Sequence, residues 1–158
     1  MSSIYLDTSA FLAVLFGEPK SGEIMPILRS AEGILSSALL EAEARAAGAR
    51  RNRPAAEMDM ALGRLALFQP ERLLTPEIKA VVAAAPSLRG ADLWHLACAL
   101  YLAGDPANLP FVTLDGGQAG AAERLGFKVL PAVSPRSSGA REPQAVYGAK
   151  KSRGKVHA

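Results

Sequence analysis

Four acidic residues, Asp7, Glu43, Asp92 and Asp115, stand out in the 158-residue chain because each lies where a carboxylate serves packing poorly. Asp7 follows the apolar run from Ser3 to Leu6, and Asp115 follows the run from Phe111 to Leu114. Short runs without polar alternation suit parallel strands covered on both faces. In an open α/β sheet, ligands bind outside the carboxyl ends of the strands. Two aspartates at neighbouring strand ends repel each other unless a cation lies between them. The plainer alternative is that each starts a turn or caps the following helix.

Asp92 falls in the first turn of an apolar helical stretch from Gly90 to Leu102. The helix dipole favours a carboxylate there. Yet Asp92 shares a stripe with Leu96 and Ala99, and the flank of Leu93, Ala97 and Leu100 is apolar too, so an acid at this position is costly unless paired or liganded. In a helix expected from Ser37 to about Ala49, Glu41 has Arg45 four residues on, the orientation of an exposed ion pair. Glu43 shares its stripe with Leu39, Ala46 and Ala47 and is expected to face inward. Four carboxylates with no histidine or cysteine beside them describe a hard-cation site for Mg²⁺ or Mn²⁺. Such ions activate water and stabilise the attacking and leaving oxygens of phosphodiester hydrolysis. Thr113, on the same strand face as Asp115, can hold a metal-bound water or a phosphate oxygen, although strand threonines are commonly structural.

The elements that must position these residues alternate. Strands are expected at Ser3 to Leu6 and Phe111 to Leu114, with weaker candidates at Gly33 to Ser36, Arg72 to Leu74 and Phe127 to Leu130. Helices are expected from a Thr8 or Ser9 cap to Phe16, from Lys20 to Ser30 with a break near Pro26, and from Ser37 to about Ala49. Further helices are expected over Pro54 to Phe68, Pro76 to Ala84, Gly90 to Leu102 and Gln118 to Leu125. Alternation of this kind implies an α/β fold, a parallel sheet of about four to five strands with helices on both sides.

Net charge is +3, but it is unevenly spread. From Ser134 onward six basic residues face one acid, a net of +5, which leaves the remainder at −2. The chain thus divides into a folded domain over 1–133 and a basic tail over 134–158 whose Ser, Gly, Pro and Lys composition predicts disorder. Such an arm can raise association rates with nucleic acid or simply keep the protein soluble. Cys98 is the only cysteine, which excludes an internal disulfide framework. With no signal-like N-terminus and no apolar run longer than Ala10 to Phe16, a cytoplasmic location without membrane contact is expected.

Four segments carry a family resemblance: Tyr5 to Ala10, Ser37 to Glu43, Leu88 to Ala97 and Val112 to Ala122. In this order they resemble the PIN-domain nucleases, and in particular the VapC-type toxins of type II toxin–antitoxin pairs. The resemblance spans nearly all of Ile4 to Val129, and its acidic positions fall on Asp7, Glu43, Asp92 and Asp115. It implies a three-layer α/β/α sandwich and Mg²⁺- or Mn²⁺-dependent cleavage of an RNA substrate. It further implies homodimerisation, inhibition by a cognate antitoxin protein, and a site lined by Thr8 and Thr113. Trp94, where relatives usually have a smaller residue, and the basic tail depart from the pattern.

Other signals point elsewhere. A non-catalytic PIN-fold module binding RNA or protein would keep the same acids. Asp7 also suits a phosphatase that forms an aspartyl-phosphate, but the haloacid dehalogenase type wants a second aspartate where Ser9 stands. The stretch from Asp115 to Gly120 imitates a dinucleotide fingerprint whose first glycine is replaced by a carboxylate, which would oppose a pyrophosphate. His95 and Cys98 are expected to be a hydrogen-bonded histidine and a packed thiol rather than metal ligands. Arg45, Arg50, Arg51 and Arg53 gather at the end of the third helix, more cations than its dipole needs. They are candidates for contact with RNA backbone or with an acidic stretch of an antitoxin.

Overall fold

The structure, a computed structural model, describes residues 2–132, so the tail expected from Ser134 lies outside the described residues. Five strands form one fully parallel sheet: β1 (Ile4–Leu6), β2 (Ile34–Ser37), β3 (Ala66–Phe68), β4 (Phe111–Val112) and β5 (Val129–Leu130). Their spatial order is β3-β2-β1-β4-β5, which places β1 at the centre and makes β1/β4 the point where the winding reverses. Helices α1 (Thr8–Leu15) and α2 (Ser21–Ser30) join β1 to β2, and α3 (Ala38–Arg50) and α4 (Ala55–Leu62) join β2 to β3. Helices α5 (Thr75–Ala84) and α6 (Gly90–Ala103), with a short 3₁₀ turn at Pro106–Asn108, return to β4, and α7 (Gly116–Arg124) connects it to β5.

Strand periodicity divides the core into two apolar layers, one on each face of the sheet. Ile4, Leu6 and Val112 pack with Ala10, Phe11, Ile24, Leu40 and Met58 from the first four helices. Tyr5 and Phe111 turn the other way, onto Leu96, Ala97, Ala99, Val81 and Ala121 from the last three. Tyr5 and Phe111 are also partners in the strand register, and their rings stack with centroids 5.3 Å apart. The result is the three-layer α/β/α sandwich expected of the alternating pattern. Gly17, just past α1 with φ of 63°, ends that helix in the left-handed conformation its position requires.

Three local expectations are corrected. The pattern over Pro54 to Phe68 is not one helix: α4 stops at Leu62 with Gly63 as its cap, and Ala66–Phe68 pairs with β2 instead. A short apolar run fits either period, and here the open edge of β2 decides. Arg72 to Leu74 is not a strand; Leu74 is buried on the helical side as the residue preceding α5. Pro26 does not break α2, which runs through it. Proline costs a helix one hydrogen bond and crowds the carbonyl four residues back. Here that carbonyl belongs to Gly22, on an exposed stretch where water can satisfy it.

Helix α6 carries Asp92 and His95 toward the sheet and is covered on most sides, with Leu96 to Ala99 wholly buried. Leu96→Ala is expected to cost about 2–5 kcal/mol of unfolding free energy, as deletions at fully packed leucines do. Urea unfolding followed by circular dichroism measures this, and a loss below about 1 kcal/mol would show that α6 is not anchored through Leu96.

Candidate metal centre

Asp7 and Asp115 occupy the carboxyl ends of the two adjacent strands β1 and β4, and each is also the N-cap of the helix that follows. Asp7 Oδ1 accepts the Ala10 N–H at 3.0 Å, and Asp115 Oδ1 accepts the Gln118 N–H at 2.7 Å. The cap of α1 is thus Asp7, not the expected Thr8 or Ser9. Capping and site formation are not alternatives here. Asp7 is 2% exposed, far more buried than a cap needs to be.

The environment of Asp7 is built from donors. Ser9 Oγ lies 2.9 and 3.0 Å from its two carboxylate oxygens, and Thr113 Oγ1 donates to Oδ2 at 2.9 Å. These bonds favour the ionised form, yet loss of hydration outweighs them and pushes the carboxyl from its ordinary 3.8 up to about 6. Ser9 in turn accepts the Leu114 N–H at 2.9 Å, and Thr113 accepts the Asp115 N–H at 3.0 Å. Two hydroxyls therefore lace the start of α1 to the end of β4.

Asp92 lies half-buried in the first turn of α6, and its carboxylate accepts no hydrogen bond among the described residues. Its pKa is raised, first by desolvation and next by the negative field of Asp115, with a smaller contribution from Glu43. His95 and Arg89 oppose the rise without cancelling it. Gln118, fully buried, holds this corner together: its Nε2 donates to the Asp92 carbonyl at 3.2 Å, and its Oε1 stands 3.0 Å from Thr113 Oγ1.

Glu43 enters from α3. The buried stripe of that helix is Leu40, Ala44, Ala47 and Gly48, one step round from the expected Leu39, Ala46 and Ala47. Glu43 sits at the margin of this stripe, half-exposed, which is where a ligand rather than a core residue belongs. Its Oε2 accepts a short hydrogen bond from Thr8 Oγ1 and lies 3.1 Å from His95 Nε2. These contacts, His95 foremost, hold its pKa below the ordinary carboxylate range. The expectation that no histidine stands beside the acids is therefore corrected: His95, 2% exposed, touches Glu43 and Thr8 directly.

Charge relations thus connect Asp92 with both Asp115 and Glu43, while hydroxyl and amide contacts connect Asp7 with Asp115. Among the described residues no three of these carboxylates already stand in one coordination sphere. Their chemistry still fits a hard divalent cation: oxygen donors at one sheet edge, mutually repelling, with Asp92 lacking any neutralising partner. Cys98 is a buried packed thiol whose pKa burial raises, as expected of a structural cysteine.

The sequence did not single out Tyr5, Ser9, Ser37 or Gln118. Ser9, two residues after Asp7, and His95, beside Asp92 on one helical stripe, carried a local signal; the others act across long sequence separations.

The arginines are mostly engaged. Arg45 pairs with Glu41 and Asp59, each at 2.9 Å, and the Glu41 pair is the one expected from spacing. Arg51 pairs with Glu18 at 3.0 Å and lies 4.0 Å over the Phe16 ring, while Arg53 pairs with Glu57. Arg50 alone of the four has no such partner among the described residues. A cavity of about 770 Å³ lies apart from the four carboxylates, between α1, α2 and α4, and is lined by Phe11, Val14, Leu28 and Met60. No helix among the described residues is long and apolar enough to cross a membrane.

Comparison with known proteins gives two findings. A family model described as PIN domain matches residues 4–123. A crystal structure of PAE2754 from Pyrobaculum aerophilum superposes with a TM-score of 0.51 at 21% identity, covering 77% of this chain and 87% of that one, which supports the fold. No curated protein matches the chain.

A raised carboxyl pKa has a measurable consequence. Asp7 contributes stability that is fully present below its ordinary 3.8 and is lost as pH rises through about 6. Asp92 acts in the same direction and Glu43 in the opposite one. In metal-free protein, Asp7→Asn is expected to raise stability at neutral pH by on the order of 1–3 kcal/mol and to shallow the decline between these values. Thermal unfolding in EDTA across this range checks it; an Asp7→Asn variant less stable than the parent at neutral pH would contradict it.

Proposed function

Because the chain belongs to the PIN-domain family, we propose that it is a metal-dependent endoribonuclease that hydrolyses RNA phosphodiester bonds. We further propose that it is the toxin of a toxin–antitoxin pair. The nuclease reading is supported chiefly by one observation: Asp92, half-buried and without a hydrogen-bond partner among the described residues, lies in the repelling fields of Asp115 and Glu43. A ligand cation would offset both the desolvation and the repulsion at such an acid.

Asp7, Asp92 and Asp115, with Glu43, would hold Mg²⁺ or Mn²⁺, and the bound ion would supply Lewis acidity and an activated water for attack on phosphorus. The chain's own residues set the geometry. Asp7 is held in a single orientation by Ala10, Ser9 and Thr113, so little reorganisation remains to be done at the site. Thr113 and Thr8 place hydroxyls beside Asp7 and Glu43, where they can orient a phosphate oxygen or a water. Thr113 carries one proton with two acceptors in reach, Asp7 Oδ2 and Gln118 Oε1. Turning it toward Gln118 would leave Oδ2 only the Ser9 hydroxyl, whose proton can go to Oδ1 instead, and so free it for a cation without breaking the contact to Asp115.

RNA as substrate, a homodimeric state, and an antitoxin partner rest on the resemblance to VapC-type toxins. Arg50, unpaired among the described residues, is the arginine best placed to meet backbone phosphate; its three neighbours would first exchange an exposed ion pair, which is weak enough to allow that. An aspartyl-phosphate intermediate of the haloacid dehalogenase type is disfavoured, because Ser9 stands where that chemistry wants a second aspartate.

With a fluorescently quenched RNA, the protein should cleave in Mn²⁺ or Mg²⁺ and not in EDTA. Asp7→Asn and Asp92→Asn should each lose at least about 100-fold in rate while remaining folded. Cleavage that persists in EDTA, or an unimpaired Asp7→Asn variant, would reject the proposal; binding of RNA without cleavage would favour a non-catalytic module.

A further inference from the structure

His95 is three residues beyond Asp92 on α6, buried against β1, β2, α1 and α3, and both its ring nitrogens have partners. Nδ1 lies 3.0 Å from the Tyr5 hydroxyl and 3.4 Å from Ser37 Oγ. Nε2 lies 3.1 Å from Glu43 Oε2 and 3.0 Å from Thr8 Oγ1. Which nitrogen carries the proton follows from groups that have no choice of role. The Ser37 backbone N–H can only donate, and it points at the Tyr5 oxygen at 3.2 Å. That phenol is deeply buried and stays neutral, so its own single proton needs an acceptor, and His95 Nδ1 is the nearest. On the other side of the ring Glu43 offers only lone pairs, as an ionised carboxylate does. A bare Nε2 facing it would set acceptor against acceptor. Both ends of the ring therefore require hydrogen on Nε2 and none on Nδ1.

We propose that His95 is a positioning residue for Glu43: the Tyr5 hydroxyl locks the imidazole in its Nε2–H form, and that N–H pins one carboxylate oxygen, leaving Oε1 as the oxygen available to a cation or its water. The hydrogen bonds run in one direction, the Ser37 N–H donating to Tyr5, Tyr5 to His95, and His95 to Glu43. It links β2, β1, α6 and α3, so the carboxylate of a helix at the edge of the site is set by the central strand of the sheet. Thr8 supplies the second donor to the same oxygen, Oε2, from the first residue of α1. Oε1 has no hydrogen-bond partner among the described residues. Outer partners of this type commonly govern metal affinity by 10-fold or more. The inference rests on the metal-dependent reading of the carboxylates and adds to it a residue that would bind no metal.

A purely structural histidine would fill the same space, and Tyr5→Phe separates the two roles. This substitution keeps the ring stacked on Phe111 and removes one oxygen on the side of His95 away from the carboxylates. Metal-free protein labelled with ¹⁵N should show, at about pH 8 where imidazoles are ordinarily neutral, a His95 ring protonated on Nε2 alone. Mn²⁺ titration followed by electron paramagnetic resonance should give about 10-fold weaker binding in Tyr5→Phe and in His95→Ala. His95→Gln, whose amide can still donate to Glu43, should recover part of that loss, and adding Tyr5→Phe to it should have little further effect. A ring protonated on Nδ1 overturns the proposal even if the variants fail to fold, because that measurement needs only the parent protein. Parent-like Mn²⁺ affinity in folded Tyr5→Phe or His95→Ala overturns it while leaving the nuclease reading intact. A parent protein that binds no Mn²⁺ overturns both.

Discussion

Asp7 is a carboxylate held almost out of contact with water, one residue past the central strand of a parallel sheet, and the surroundings of the site answer to that placement. A buried negative charge is tolerated only when donors or an opposite charge replace its lost hydration. The chain provides donors on every side: a helix N-terminus, the Ser9 hydroxyl two residues on, and the Thr113 hydroxyl from the neighbouring strand. They do not suffice, since the carboxyl remains shifted well upward. No lysine or arginine among the described residues makes up the difference at Asp7. The compensation stays incomplete, and the proposed cation would complete it.

The remaining acids show the same economy of means with different partners. Glu43 has a histidine and a threonine and is comfortable as an anion. Asp115 is tied into the first turn of α7 and lies exposed. Asp92 has no donor, and desolvation first and the field of its neighbours next raise its pKa. A site with one buried, one hydrogen-bonded, one capping and one bare carboxylate is asymmetric. Gln118 and Thr113 join these separate environments, tying the end of β4 to the start of α6 through hydrogen bonds. The fold makes this possible because β1 and β4 are adjacent, with Tyr5 in register with Phe111 although three helix-bearing connections lie between them in the chain.

How much of this was legible in the sequence depends on how far each contact reaches along the chain. Asp7 and Asp115 were found because an apolar run ended in an acid, a pattern visible within six residues. Asp92 and Glu43 are picked out by helical spacing against apolar stripes, although the buried stripe beside Glu43 lies one step round from the expected one, at Leu40, Ala44 and Ala47. The α4–β3 segment misled because Leu65 to Phe68 fits a helix as well as a strand, and only the pairing with β2 resolves it. His95 was expected to be a hydrogen-bonded histidine, which it is. Its partners could not be foreseen, since Tyr5 and Glu43 are distant in sequence and meet only after α3 and α6 dock on opposite sides of the same strand end. Polar networks between distant elements leave no periodic trace; apolar layers and strand ends do.

The claim on which the account turns is that one divalent cation reconciles these carboxylates. Crystals soaked in Mn²⁺ and measured at the manganese absorption edge test it directly. The account predicts an anomalous peak at the carboxyl end of β1 and β4, about 2.1 Å from carboxylate oxygens of at least two of Asp7, Asp92 and Asp115. Manganese found only elsewhere on the protein, with the four acids unaltered and unliganded, would contradict it.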